Sequence, residues 1–217
     1  MRLFGAFSLG VLCLTLSSAC AEQETKVPVT AVVFDDETKA FLDASNWEGL
    51  IEEYWKVDGN TVIGTSPKDG LKFNTFLCSK KKYKNFELSF KIRLKDGNGN
   101  SGVQIRSEIA DKAKFSVKGP QCDIGANYWG SLYGELFGGM MKEAPKDQVN
   151  SKLQPKEFNE YSIRAEGKKV TIKVNGIVSV DQEFEKMPEA GIIAFQLHAG
   201  GFMEVTFKDI KFVDLSK

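Results

Sequence analysis

Phe86-Glu-Leu-Ser-Phe-Lys-Ile-Arg-Leu94 alternates apolar and polar residues without a break. An extended chain puts successive side chains on opposite faces, so Phe86, Leu88, Phe90, Ile92 and Leu94 point one way and define a half-buried β-strand. Neighbouring segments repeat the pattern. In Gly102-Val-Gln-Ile-Arg106, Val103 and Ile105 are expected inward, with Gln104 and Arg106 on the other face. Tyr161 to Ala165 and Val170 to Val174 read as a hairpin around Glu166-Gly-Lys-Lys. Asn175-Gly176 is a strong two-residue turn signal, which places Ile177 to Asp181 in a further arm. Val205 to Phe212 closes the series.

Helical periodicity is scarce. Glu37 to Ala44 and Asn46 to Glu53 have room for about one turn each, while Glu108 to Lys118 and Phe137 to Gln154 read as long loops. Many short period-two runs separated by turns imply an all-β fold, a two-sheet antiparallel jelly-roll sandwich.

The first 21 residues stand apart. Arg2 precedes an apolar run from Leu3 to Leu16, and Ala19-Cys-Ala21 is an A-x-A cleavage site. The run is too short to anchor the chain across a bilayer. Residues 1–21 are therefore expected to be a signal peptide, 22–31 a flexible leader, and 32–217 the folded domain. Export is the expectation, to the periplasm or beyond. Cleavage after Ala21 releases the chain, whereas Cys20 with the preceding Leu16-Ser-Ser-Ala19 resembles a lipid-attachment site. The net charge is zero, and losing Arg2 with the leader makes it about −1. Such a balance argues against a nucleic-acid partner. Nothing in the sequence specifies an oligomer. Cys78 and Cys122 sit in apolar strand-like runs and are expected to be buried thiols. No C-x-x-C or His/Cys cluster points to zinc.

The polar residues on the strands carry the chemistry. Gln104 with Arg106, Gln121 with Asp123, and Gln196 with His198 each share a face by alternation. Lysine and glutamate are the usual covering of a solvated sheet face. Long amides, a guanidinium, a carboxylate and an imidazole suit the recognition of hydroxyls and carbonyls instead. His198 is the only histidine in the chain, and histidine is the one side chain whose ordinary pKa lies near neutrality. Close by in sequence, Gly130 to Glu135 reads as a glycine-flanked loop offering Tyr133 and Glu135. Trp129 is a candidate surface for stacking a sugar ring.

Trp55 to Gly64, Tyr83 to Leu88, Asn100 to Arg106, Ser131 to Gly134, Phe158 to Tyr161, Val174 to Gly176 and Gly191 to Gly200 occur in the order typical of the 3-keto-disaccharide hydrolase domain family. The chain resembles that family from Val32 to Val213. The resemblance implies a concanavalin A-like fold, exported bacterial proteins, and action on glycosides oxidised at C3. It carries over to Arg106, Gln121, Asp123, Tyr133, Asn159, Gln196 and His198. Phe158 stands where a tryptophan is common. Gly119-Pro120 partly replaces the usual acidic residue near Gln121, which weakens a metal site there.

Related jelly-roll glucanases use a Glu-x-Asp-x-x-Glu strand. Here the comparable run is Gln121-Cys-Asp-Ile-Gly-Ala126, so ordinary two-carboxylate hydrolysis lacks its carboxylates. A 3-keto sugar offers another route, because the ketone acidifies the proton on C2. The expected roles are His198 as base, Arg106 on the enolate oxygen, and Asp123 orienting a group or a divalent cation. Tyr133 or Glu135 assists the leaving oxygen. Gln104, Gln121, Trp129, Asn159 and Gln196 complete the substrate-binding set. The alternative is a non-catalytic carbohydrate-binding module using the same groove. A serine or cysteine hydrolase is disfavoured, since no Gly-x-Ser-x-Gly elbow is present.

Overall fold

A computed structural model describes residues 35–217. The expected signal peptide, the leader, Cys20 and residues 32–34 lie outside the described residues. Two antiparallel sheets of seven strands each face one another. The front sheet runs β1 (Trp47–Glu48), β4 (Thr75–Ser79), β13 (Ile192–Leu197), β6 (Asn100–Asp111), β7 (Ser116–Gly125), β8 (Leu132–Glu135) and β9 (Gly139–Lys142). The back sheet runs β12 (Ile177–Glu183), β11 (Lys169–Val174), β10 (Asn159–Glu166), β5 (Phe86–Leu94), β14 (Glu204–Asp214), β3 (Thr61–Thr65) and β2 (Trp55–Asp58).

The alternation of β5 is realised along its full length. Phe86, Leu88, Phe90, Ile92 and Leu94 are buried between the sheets, and the residues between them are half-buried on the outside. Burying each such side chain contributes roughly 1.5–3 kcal/mol. Register follows the packing. Phe90 lies opposite Tyr161 of β10, and their rings stack with centroids 5.3 Å apart. The Asn175-Gly176 turn links β11 to β12 with Val174 opposite Ile177. Both turn residues have positive φ, 46° and 81°, as the twist of a two-residue hairpin requires. Helix α1 (Asp36–Leu42) is capped by Asp35, whose carboxylate accepts from the Thr38 amide at 2.7 Å. Its Phe41 stacks on Phe212 and closes one end of the core.

Three regions depart from the sequence expectation. Glu108 to Lys118 is a hairpin built from the ends of β6 and β7, not a loop. Phe137 to Gln154 contains β9 and helix α2 (Lys146–Asn150). Leu132 to Glu135 is strand β8, paired to β7 on one side and β9 on the other. Each run is short or interrupted by glycine, so local alternation was too brief to show it.

The β6–β7 hairpin shapes the front sheet. On β4 and β13, Leu77, Ile193 and Phe195 enter the main core. The alternate residues Phe76, Cys78, Ile192 and Ala194 therefore point outward, yet they are buried in a second small cluster with Val117, Ile109 and Phe115 of the hairpin. The Thr75 hydroxyl donates to the Lys114 carbonyl at 2.7 Å. The hairpin thus folds back across the outer face and roofs part of it.

Candidate active site

The outer face of the front sheet is floored by side chains from adjacent strands. Gln104 of β6 pairs with Gln121 of β7, which pairs with Tyr133 of β8. One step along, Gly102 pairs with Asp123. Gln104, Gln121, Asp123 and Gln196 are all buried. A hydrogen bond of 3.0 Å joins the Gln104 and Gln121 amides, and one of 2.9 Å joins Gln121 to Asp123 Oδ1. Gly102 makes room for this chain. A Cβ there would sit 2.7 Å from the Gln121 amide carbon, so any other residue would push Gln121 away.

Asp123 is held firmly by its backbone. Its N–H donates to the Ser131 carbonyl at 2.9 Å, and its carbonyl accepts from the Gly130 N–H at 3.0 Å and the Tyr161 hydroxyl at 3.1 Å. Burial pushes the Asp123 carboxyl up to about 7, even with the hydrogen bond donated by Gln121, which lowers it, and the negative charge of Glu135 adds to the rise.

His198 follows β13 and is half-buried. Its Nδ1 lies 2.6 Å from the Ala199 carbonyl, which can only accept, so Nδ1 carries a proton. The next residue is tied to the floor. Asn74, just before β4, accepts from the Ala199 N–H at 2.8 Å and donates to Glu135 Oε1 at 3.3 Å. Asn74 therefore bridges the His198 turn and Glu135. Sequence reasoning missed it; its only sequence signal is that it sits two residues before Phe76, on the same face. Gln196 is different from its neighbours, because both of its amide atoms are buried without a hydrogen-bond partner.

Three predicted site residues do not join this group. Arg106 was expected beside Gln104, but its φ is +46° and the β6–β7 register slips between Gln104 and Glu108. This bulge turns the side chain away from the floor. Its guanidinium donates to the Gly167 and Pro188 carbonyls and to Asn85 Oδ1, tying the front sheet to the turn between β10 and β11. Trp129 was expected to be an exposed stacking platform, but it is 8% exposed and belongs to the main core. The reason is that the chain turns at Gly130 and packs the indole inward. Asn159 opens β10 in the back sheet. It accepts from the Gln154 N–H and the Asn175 amide, and donates to the Gln154 and Glu157 carbonyls, so its bonding capacity is spent within the fold.

The floor does not fit a divalent cation. It offers one buried carboxyl raised toward neutrality, and among the described residues no group of three or more His, Cys, Asp or Glu side chains converges as a metal site. Cys78 and Cys122 are buried free thiols, as expected, and burial raises both far above the ordinary thiol range. Neither is a nucleophile candidate.

The two-sheet jelly roll, with its amide-rich floor on one face, is the architecture that comparisons with known proteins recover, and the matching family is carbohydrate-related. The chain belongs to the 3-keto-alpha-glucoside-1,2-lyase-like domain family, which matches residues 30–213. Among solved structures it is similar to a Parabacteroides distasonis protein provisionally called a glycosyl hydrolase, at 20% identity and a TM-score of 0.56, covering 79% of this chain and 94% of that one. It is also similar to the carbohydrate-binding module CBM66 of Bacillus subtilis, at 16% identity and a TM-score of 0.55, covering 77% and 94%. A Bacillus subtilis protein of unknown function with a galectin-like fold gives 8% identity and a TM-score of 0.59, covering 80% and 93%. At these identities the likeness is one of fold. No curated protein matches the chain. Among the described residues, no helix is long and apolar enough to cross a membrane.

Proposed function

We propose that this protein is an exported enzyme that cleaves glycosidic bonds of 3-keto-glycosides by elimination followed by hydration. His198 Nε2 takes the proton from C2, and the electron pair passes to the ketone as an enolate. The enolate then forms the C1–C2 double bond as the C1–O bond breaks, and the leaving oxygen gains a proton. Water adds to C1 and a proton returns to C2, so the net reaction is redox-neutral hydrolysis. Glu135, positioned by Asn74, is placed to exchange a proton with the leaving oxygen. The half-buried Tyr133 and the unpartnered Gln196 amide meet the sugar hydroxyls. Arg106 takes no part, being committed to carbonyls at the far side of the front sheet.

One observation supports the reading: a buried carboxyl raised to about 7 stands on an amide-lined floor within reach of the Glu135 charge, and Asn74 ties Glu135 to the turn that follows His198. Family membership supports the substrate class. The test is release of aglycone from paired native and 3-keto glycosides by the purified protein. Release from the 3-keto substrate alone is expected. Release from the native glycoside would overturn elimination.

A second reading, a binding module without catalysis, is favoured by Gln196, whose buried and unpartnered amide is suited to a ligand hydroxyl. Sugar binding with no release from either substrate would decide for it.

A further inference from the structure

The direction of the floor's hydrogen-bond chain settles a protonation state. One terminal atom of the Gln104 amide lies 2.7 Å from Ser107 Oγ, 3.1 Å from the Pro120 carbonyl and 3.3 Å from the Gly119 carbonyl. Two backbone carbonyls can only accept, so that atom is the nitrogen. The other Gln104 atom is then the oxygen; the Gln121 atom facing it at 3.0 Å, placed as Oε1, must be a donor, so the Gln121 amide reverses together with Gln104 and presents its nitrogen there. This leaves the Gln121 oxygen facing Asp123 Oδ1 at 2.9 Å. Two oxygens at that distance need a proton between them, and an amide oxygen has none to give.

We propose that Asp123 is held in the floor as the neutral acid, donating its proton to the Gln121 carbonyl oxygen, and that Gln104 enforces this by anchoring on the Pro120 and Gly119 carbonyls. The anchor is backbone and cannot reorient. Ionising Asp123 would require the Gln121 amide to reverse, and Gln104 would then either reverse against two carbonyls or lose its partner. The groups facing Asp123 agree with a neutral acid. Glu135 of β8 brings negative charge, Tyr161 of β10 bonds only its backbone carbonyl, Cys122 is a protonated thiol, and no cation is in contact with the carboxyl. Burial favours the same form.

The functional consequence rests on the proposed elimination. An uncharged Asp123 leaves its second oxygen as an acceptor for a sugar hydroxyl, and it places no fixed negative charge beside the position at which an enolate forms. A carboxylate there would repel that charge. Turnover should therefore fall at alkaline pH, the direction in which Asp123 loses its proton.

The test needs no substrate. Isotope-edited infrared spectra of the purified protein, with Asp123→Asn as the blank, report the carboxylic acid carbonyl stretch of Asp123. A protonated band at pH 6 that is still present at pH 7 and is lost only at higher pH is expected, because the value of about 7 is the one that holds when Gln121 donates to the carboxyl. Its absence at pH 6 overturns the proposal. Gln104→Met, which does not touch Asp123, then tests the anchor. Freed from Gln104, the Gln121 amide can turn its nitrogen to the carboxyl, so the band should vanish at a lower pH, by about one unit for one hydrogen bond. A midpoint that stays or rises means that Gln121 already donated, and overturns the anchoring role. A neutral Asp123 in a protein that releases no aglycone would keep this inference and remove the elimination reading.

Discussion

The outer faces of the two sheets are built on the same alternation and differ in almost everything else. The back face carries Glu87, Ser89, Lys91 and Arg93 of β5, beside Arg164, Lys173 and Lys211. It pairs charge with charge, as in Lys91–Asp209 and Lys169–Asp181, each at 3.0 Å and half in solvent. The front face has neutral amides and one acid, buried beside the β6–β7 hairpin that roofs the adjoining part of the face. These charged side chains reach solvent, so their ion pairs are worth little. On the front face each polar atom needs a partner from the protein or from a ligand, and the Gln196 amide has none among the described residues. The comparison teaches that polar composition alone does not mark a site; polar groups withdrawn from water do.

Substitutions sharpen this contrast. The largest effect is expected for His198→Gln, which removes the proposed base. Turnover should fall by roughly 10²–10⁴-fold with an unchanged melting temperature, measured by aglycone release and calorimetry. Turnover near the wild-type rate would end the base assignment.

Asp123→Asn comes next. The folded carboxyl titrates at about 7 against an ordinary 3.8, so the unfolded chain ionises first and stability is lost as pH rises from about 4 toward 7. An amide does not ionise. The variant should be more stable than the parent by a few kcal/mol at pH 8, with the gain vanishing near pH 4. Thermal melts at the two pH values check this, and a gain of equal size at both would contradict the raised carboxyl.

Gln196→Leu should stabilise the free protein by about 1–2 kcal/mol, since it replaces two buried polar atoms that lack partners. Sugar binding should weaken at the same time, which calorimetry would register. Loss of stability would mean that the amide is satisfied within the fold. The smallest effect belongs to the back face. Arg164 pairs with both Glu87 and Glu166, yet Arg164→Ala should cost less than about 1 kcal/mol and leave turnover unaltered. A larger cost would erase the distinction between the faces.

Much of the fold was legible because its signals are local. The β5 alternation and the Asn175-Gly176 turn depend on residues within a few positions of each other. The same alternation placed Gln104, Gln121, Asp123 and Gln196 on one face. It failed at Arg106 because one residue of positive φ inserts a bulge, after which inward and outward exchange. It failed at Trp129, where a turn rather than a strand sets the direction of the side chain. Asn74 was invisible, since its contacts to Ala199 and Glu135 are 125 and 61 residues away.

The sequence by itself determined two sheets, most of their strands, the inward faces and the polar set from which a site could be drawn, because period-two burial is a property of each strand alone. Only the tertiary structure decided which polar residues meet and which are withdrawn from water. Those outcomes depend on the roofing hairpin, the Arg106 bulge and the Gln104 anchor on the Pro120 carbonyl. They arise from pairing between strands far apart in the chain, and no local pattern encodes them.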